Sequence, residues 1–173
     1  MDSAVSELEN GVLAIVAFGG NVPFGGAPTR RVFEMALARF PGHGLHLVKQ
    51  SGLWRSAAWP DPADPPFLNG VALVRTTLAP REAMDALHEI EHAFGRRRSE
   101  PNAPRTLDLA LIAYGDLVGD VDGVALPHPR AADRLFVMGP LAEIAPAWRH
   151  PVSHRTAAEL GEAATVGRDA AAE

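Results

Sequence analysis

A cluster of arginines is the first feature of this sequence whose residue types suggest chemistry. Arg96, Arg97 and Arg98 are consecutive, Arg105 follows closely, and Arg134 lies further along, in a chain whose formal net charge is -5. Guanidinium groups bind phosphate oxygens through a planar fork of donors and stabilise the charge that shifts during phosphoryl transfer. A solvated charged loop is the alternative interpretation. The arginines alone do not decide between a polyanion site and such a loop.

A single acid, Asp108, lies in the apolar segment 106–114, which reads as a strand. Alternation predicts two faces, one with Leu107, Leu109, Leu111 and Ala113, and one with Thr106, Asp108, Ala110, Ile112 and Tyr114. A second carboxylate at position 110 would lie about 7 Å from the first and would share hard cations with it. That position is Ala110. The strand alone therefore leaves open whether Asp108 is a metal ligand or a structural hydrogen-bond acceptor.

The segment HEIEH, residues 88–92, matches the zinc-helix motif H-E-x-x-H. In zinc proteases the two histidines bind the metal, the glutamate activates water, and a third ligand comes from further along the chain. In the extended motif the third ligand falls on Arg98, a cation that cannot bind zinc. The helical pattern also places His88, Glu91 and His92 on the polar side of the helix. We therefore rank a zinc metalloprotease last among the functions considered.

A glycine-rich loop, GGNVPFGG at residues 19–26, follows the first apolar segment. Its backbone N–H groups are suited to a phosphate or to the edge of a ring. It lacks both Gly-Lys-Ser/Thr and G-x-G-x-x-G, so a mobile turn explains it equally well.

The elements that must position these residues follow from apolar periodicity. We predict strands at 11–18, 45–54, 67–78 and 106–114, helices at 27–40, 80–94 (ended by Gly95) and 133–144, and a hairpin or loop at 115–129. Two crossover helices among four strands favour an α+β, ferredoxin-like fold, with an antiparallel-rich sheet and helices packed mainly on one face.

Bulk composition restricts the function classes. The 173 residues suit a single domain, and 47% hydrophobic with 21% charged residues is typical of a globular protein. The negative net charge argues against a general nucleic-acid binder, and the absence of cysteine excludes disulfides and thiolate metal sites. The acidic start is unlike a secretion signal, and the apolar runs are too short to span a bilayer. We predict a cytoplasmic protein without membrane or nucleic-acid partners.

Two longer motifs carry a family resemblance. PRTLDLALIAYGD at 104–116, followed by LPHPRAADRLFVMGPLAEIAP at 126–146, resembles the signature region of the 6-hydroxymethyl-7,8-dihydropterin pyrophosphokinase family of folate biosynthesis. Further matches at AFGGN, SGLWRS, FLNGV, IEHAFGR and GRRRSE extend the resemblance over about residues 11–151. Residues 156–173 fall outside it and are expected to form a short helix or a flexible tail.

The resemblance implies a ferredoxin-like fold and transfer of the pyrophosphoryl group of ATP to the dihydropterin hydroxymethyl oxygen, with release of AMP and two Mg²⁺ ions. It also implies ATP as substrate and a folate-pathway enzyme as a partner. Catalytic roles fall on Arg96, Arg98, Arg105 and Asp108, with Asp108 also a metal ligand. Nucleotide contacts fall on Met84, His88, Arg96, Arg98, Arg105, His128 and Arg134. In the implied pterin pocket Phe67 and Phe136 stack on the ring, while Asn69 and the backbone from Ser56 to Trp59 bind its edge.

The departures from the family pattern leave alternatives open. The family has aspartate where this chain has Ala110, which lowers the expected activity unless Glu91, Asp116, Asp120 or Asp122 replaces the ligand. Where the family has Trp-Gly-Pro-Arg, this chain has Asn102 to Arg105. The family's Thr-Pro-Pro is replaced by Ser56 to Ala58, and its Ser-Pro by Ala79 with Pro80. A catalytically impaired homologue that binds pterin or nucleotide or regulates a partner, and a paralogue acting on an altered pterin, are therefore the alternative hypotheses.

Overall fold

The central element of the fold is an antiparallel sheet. The computed structural model describes residues 11–58, 61–96 and 105–173. Strands β1 (Val12–Gly20) and β4 (Phe67–Thr76) pair along their whole length. On the other side of β1 lies β5 (Asp108–Tyr114), and β4 also pairs with β2 (His46–Gln50) and β3 (Trp54–Ser56).

Two helices cover the first face of this sheet. They are α1 (Thr29–Ala38) and α2 (Pro80–Ala93). Their buried side chains follow the predicted helical spacing and pack on even-numbered residues of β1 and β4, such as Val16 and Val74. Gly95, just beyond α2, has φ +83°, the left-handed conformation in which the residue that follows a helix is commonly found.

Two further helices, α3 (Leu135–Ile144) and α4 (Ala157–Ala163), cover the opposite face. Val137, Met138 and Leu141 of α3 pack there on odd-numbered strand residues such as Ile15 and Val71. The α+β, ferredoxin-like fold is confirmed. We expected the helices to pack mainly on one face, and α1 and α2 do share one. Because β1 and β4 are apolar on both faces, α3 and α4 cover the other face as well.

The alternation predicted for β5 holds only as far as Ile112. Ile15 of β1 pairs with Ala113 and Val16 pairs with Leu111, which makes Ile112 an extra residue in a β-bulge. Ala113 consequently lies on the α3 side of the sheet and Tyr114 on the α1 and α2 side. The predicted faces of these last two residues are therefore wrong.

The remaining elements follow β5. A short hairpin of β6 (Gly119–Val121) and β7 (Val124–Leu126) fills part of the segment predicted as a hairpin or loop. Strand β8 (Ala171–Ala172) pairs with β3 after α4. Within the described residues, none of the helices is both long and apolar enough to cross a membrane.

Candidate active site

A row of residues in register across three strands defines the candidate site. Asp108 of β5 pairs with Gly19 of β1, and Gly19 pairs on its other side with Asn69 of β4. Neighbouring strands are about 4.8 Å apart, so the backbones of Asp108 and Asn69 are separated by about 10 Å. Because side chains alternate along a strand, both residues lie on the face of the sheet that α3 covers. The predicted metal ligand and the predicted pterin ligand thus share one face of the sheet.

Gly19 leaves room for a side chain of the neighbouring strand in the middle of this row. A Cβ at this position would lie 2.5 Å from Oδ1 of Asn69, closer than a Cβ approaches a non-bonded atom in proteins. The Asn69 amide therefore occupies the space above Gly19, on the way to Asp108. Sequence reasoning placed Gly19 only in a glycine-rich loop and did not identify this packing role.

The Asp108 carboxylate is held among arginines. Its Oδ2 accepts a hydrogen bond from Nη1 of Arg105 at 2.8 Å, and its Oδ1 lies 3.9 Å from Nε of Arg96. About a third of the Asp108 side chain is exposed, so the carboxylate faces solvent at the end of β5. The structure therefore brings together three of the predicted catalytic residues. The fourth, Arg98, lies outside the described residues.

His128 and Arg134 belong to the same electrostatic cluster. Burial lowers the pKa of His128, the positive charges of Arg134 and Arg130 lower it further, and the negative charge of Asp108 opposes them. Burial also lowers the pKa of Arg134, as do the charges of Arg130 and Arg105, while Asp108 raises it. The imidazole Nδ1 accepts from the Arg130 backbone N–H at 3.2 Å. In neutral His128 the ring proton is therefore on Nε2.

Asn21, in the glycine-rich loop, links the two sides of the site. The side-chain Oδ1 of Asn21 accepts a hydrogen bond from the Arg105 backbone N–H at 2.8 Å, and the Asn21 backbone N–H donates to the Arg105 carbonyl at 2.8 Å. Its Nδ2 donates to the carbonyl of Pro65 at 3.1 Å. Asn21 is only 7% exposed, so these bonds are sheltered from water. Sequence reasoning missed this residue, although it is the one amide side chain within residues 19–26.

The predicted pterin residues lie at one end of the sheet. Ser56 pairs with Phe67, two residues before Asn69 and on the same face. Phe136 lies in the first turn of α3, and the Arg134 guanidinium carbon is 5.7 Å from the centre of its ring. The Arg134 side chain thus joins the arginine cluster to the aromatic residues. Trp59 lies outside the described residues.

Met84 and His88 lie on α2, on the first face of the sheet, so their assignment to the nucleotide stays a prediction. The end of α2 does approach the site, since Glu91 Oε2 accepts from the Leu109 N–H at 2.7 Å. Glu91 is only 1% exposed, so the prediction that it lies on the polar side of the helix is wrong. Its burial is explained by this backbone hydrogen bond, which local periodicity does not reveal.

None of the four acids named as replacements for the missing ligand is placed to act as one. Glu91 is bound to the β5 backbone, and Asp120 accepts from the Gly123 N–H in the hairpin. Asp116 follows the far end of β5, which is about 20 Å from Asp108, and Asp122 lies in the turn of the β6–β7 hairpin. Among the described residues there is no group of three His, Cys, Asp or Glu side chains suited to a metal ion, so the zinc hypothesis gains no support.

Comparison with known proteins now decides the family. The model of the family described as 7,8-dihydro-6-hydroxymethylpterin-pyrophosphokinase (HPPK) matches residues 15–146. The chain belongs to this family. A 2-amino-4-hydroxy-6-hydroxymethyldihydropteridine pyrophosphokinase of Synechocystis is 40% identical over 150 residues, covering 86% of this chain and 74% of the relative. The enzyme of the same name from Pseudomonas aeruginosa is 45% identical over 138 residues, covering 79% of this chain and 82% of the relative.

Solved HPPK structures share the fold. A crystal structure of a triple mutant of Plasmodium falciparum HPPK-DHPS superposes with a TM-score of 0.68 at 11% identity, covering 88% of this chain and 43% of that one. The chain therefore spans less than half the length of that protein. The predicted family is confirmed, and the chain is a pyrophosphokinase, a transferase of folate biosynthesis.

Proposed function

We propose that this HPPK transfers the pyrophosphoryl group of ATP to the hydroxymethyl oxygen of 6-hydroxymethyl-7,8-dihydropterin, giving AMP and the pterin diphosphate. The observation that carries the proposal is the row from Asp108 through Gly19 to Asn69. A pterin whose ring edge is bound by Asn69 would direct its hydroxymethyl group toward the phosphates held near Asp108. Binding both reactants on one rigid face would supply the orientation on which this reaction depends.

The arginines would act on the phosphates. Arg96, Arg105 and Arg134 surround the Asp108 end of the site, and Arg98 joins them in the proposal on the basis of sequence. The pterin oxygen forms a bond to the β-phosphorus while the bond from that phosphorus to the oxygen it shares with the α-phosphate breaks. AMP leaves with that electron pair, and the hydroxyl proton passes to water. Guanidinium groups stabilise the charge that moves onto the bridging oxygen.

Asp108 is the residue that would hold Mg²⁺. In nucleotide sites this ion is bound by one or two carboxylates together with substrate phosphates, so a single exposed carboxylate beside the arginines fits it. When bound, the ion neutralises charge on the phosphate oxygens. Ala110, which pairs with Ala17 and packs toward α3, supplies no ligand oxygen. Within the described residues, the proposed site therefore gives one protein carboxylate to the two ions that the family resemblance implies.

The aromatic residues would bind the other substrate. Phe67 and Phe136 are both partly exposed, which leaves ring surface for stacking on a flat heterocycle. Asn69 has one donor and one acceptor group for the ring edge, and Ser56 together with Trp59 completes the proposed pocket. Met84 and His88 keep their proposed place near the nucleotide.

A second candidate function rests on Ala110. Since one of two acids is replaced by a methyl group, the chain would bind pterin and ATP, or regulate a partner, without turning them over. Ser56, Ala57 and Ala58 similarly favour an altered pterin as substrate. We further propose that the chain acts as a single domain in the cytoplasm, without nucleic acid or membrane. The fused HPPK-DHPS relative suggests another folate enzyme as partner.

The test is AMP formation from ATP by the purified protein. We expect AMP only when dihydropterin and Mg²⁺ are both present, with loss of signal when either is omitted. Binding of both substrates by calorimetry without AMP would contradict turnover and establish the binding function. Turnover of a different hydroxymethylated pterin, but not of this one, would identify the altered substrate.

A further inference from the structure

The C-terminal segment, residues 164–173, is fixed to the start of α3. Asp133 accepts from the Thr165 N–H at 2.8 Å and from its hydroxyl at 2.6 Å. The Val166 N–H donates to the Asp133 carbonyl, and the Val166 carbonyl accepts from Leu135 N–H, both at 2.9 Å. The two hydrogen bonds from Thr165 lower the pKa of the Asp133 carboxyl, so the anchor is an ionised acid. The segment lies beyond the part of the chain that the family model matches.

The same segment contacts one of the predicted stacking rings. Gly167 has φ +71°, and a Cβ at this position would lie 2.5 Å from Cδ1 of Phe136. The backbone of the segment therefore lies directly against the Phe136 ring. Any side chain at position 167 would have to displace the ring.

Beyond Gly167 the segment reaches the loop predicted to bind the pterin edge. Asp169 Oδ2 accepts a hydrogen bond of 2.6 Å from the Ala57 N–H. Next to it, Ala171 and Ala172 of β8 pair with Arg55 and Trp54 of β3. One charged hydrogen bond thus holds the loop, and the short edge strand β8 holds the adjacent strand β3.

An open cavity of about 310 Å³ lies between these parts. Ser56, Ala57 and Pro66 line one side, and Asp169 with Ala171 lines the other. Glu173 also lines it, and its side chain forms ion pairs with Arg55 and Arg30. The C-terminal segment is therefore a wall of the space beside Ser56.

We infer that the C-terminal segment is part of the pterin pocket and that Asp169 is a positioning residue for pterin binding. The inference rests on the proposed function. Ala57 and Ala58 do not restrict the backbone as prolines would, so the loop relies on an external partner for a fixed geometry. A carboxylate acceptor makes a stronger bond to a backbone N–H than a neutral one does. Asp169 would act on the substrate only through the loop that it holds.

The experiment compares Asp169→Ala and Asp169→Asn with Glu162→Ala, which removes an exposed carboxylate from α4. Binding of 6-hydroxymethylpterin and of α,β-methylene-ATP is measured by calorimetry, and KM for the dihydropterin is separated from kcat. We expect Asp169→Ala to weaken pterin binding and raise this KM about tenfold. Nucleotide binding and kcat at saturation should be unchanged. The pterin affinity of Asp169→Asn should lie between those of Asp169→Ala and the parent protein, because its amide oxygen still accepts a hydrogen bond from the Ala57 N–H. Glu162→Ala should match the parent protein.

Gly167→Ala provides a second variant, independent of the charge. Its Cβ would push the Phe136 ring, so weaker pterin binding with intact nucleotide binding is expected. Unchanged pterin binding in both Asp169→Ala and Gly167→Ala would overturn the inference, as would equal losses of pterin and nucleotide binding. If the parent protein bound no pterin and formed no AMP, the proposed function itself would fail, which is a distinct result.

Discussion

Arg105 and Asp108 form an ion pair, with Nη1 of the arginine 2.8 Å from Oδ2 of the aspartate. The resemblance assigns these groups to opposite partners, a phosphate for the guanidinium and a metal ion for the carboxylate. Entry of ATP with Mg²⁺ would therefore replace the ion pair between Arg105 and Asp108 by two new ones, Arg105 with a phosphate and Asp108 with Mg²⁺. The pair keeps both groups at the end of β5 before the substrate arrives, and this limits the reorganisation that catalysis requires.

Removing the charge of Asp108 should abolish most of the activity. In Asp108→Asn the side chain keeps its shape but binds a cation poorly, so we expect kcat to fall by about 10² to 10³. Steady-state kinetics with saturating ATP measures this. Asp116→Asn, an exposed acid beyond the other end of β5, serves as the control and should behave like the parent protein. Equal activity of the two variants would remove Asp108 from the site.

Restoring the second carboxylate should strengthen the metal site. Ala110→Asp would place a second acid about 7 Å from Asp108 on the same face, and we expect half-maximal activation at a lower Mg²⁺ concentration and a higher kcat. A titration of activity against Mg²⁺ measures both. Ala125→Asp adds the same charge to exposed β7 and should have no such effect. A Mg²⁺ dependence unaltered by Ala110→Asp would show that the chain has compensated elsewhere.

Gly19 should be intolerant of a side chain. In Gly19→Ala the new Cβ would lie 2.5 Å from Oδ1 of Asn69, so the amide has to move away from its position. We expect a raised KM for the dihydropterin while ATP binding is retained. Gly42→Ala is the matched control, since a Cβ there has no heavy atom of the described residues within 4 Å beyond its neighbours. A Gly19→Ala enzyme with an ordinary KM would separate Asn69 from pterin binding.

Acidification should destabilise the protein partly through His128. Because the folded state lowers the pKa of His128 from 6.5, the unfolded state binds more protons below that pH. The free energy that neutral His128 contributes to stability is therefore fully present above pH 6.5. It is lost as the pH falls toward the pKa of His128 in the folded state. We expect the unfolding temperature to drop as the pH falls below about 6.5, and to drop less in His128→Asn. His150, whose pKa burial also lowers, accounts for part of the remainder. Parallel curves for the two proteins would contradict this assignment.

The sequence predicted features that depend on local pattern. The spacing of Ala83, Leu87 and Ile90 identified α2 and its buried side, and alternation placed Asp108 on the face opposite Leu109 and Leu111. The family motifs then predicted which residues around Asp108 form the site.

What the sequence did not reveal depends on contacts between distant segments. The bulge at Ile112, which reverses the expected faces of Ala113 and Tyr114, depends on pairing with β1. Burial of Glu91 follows from a backbone N–H of β5, and the role of Asn21 follows from Arg105, 84 residues further along. Single-sequence periodicity contains no information on such pairs.

The most direct measurement of the central claim is the mass and stoichiometry of the products formed from ATP and 6-hydroxymethyl-7,8-dihydropterin with Mg²⁺. The account predicts a pterin carrying a diphosphate and one equivalent of AMP. Formation of ADP with a pterin monophosphate, or no pterin product at all under conditions where both substrates bind, would contradict it.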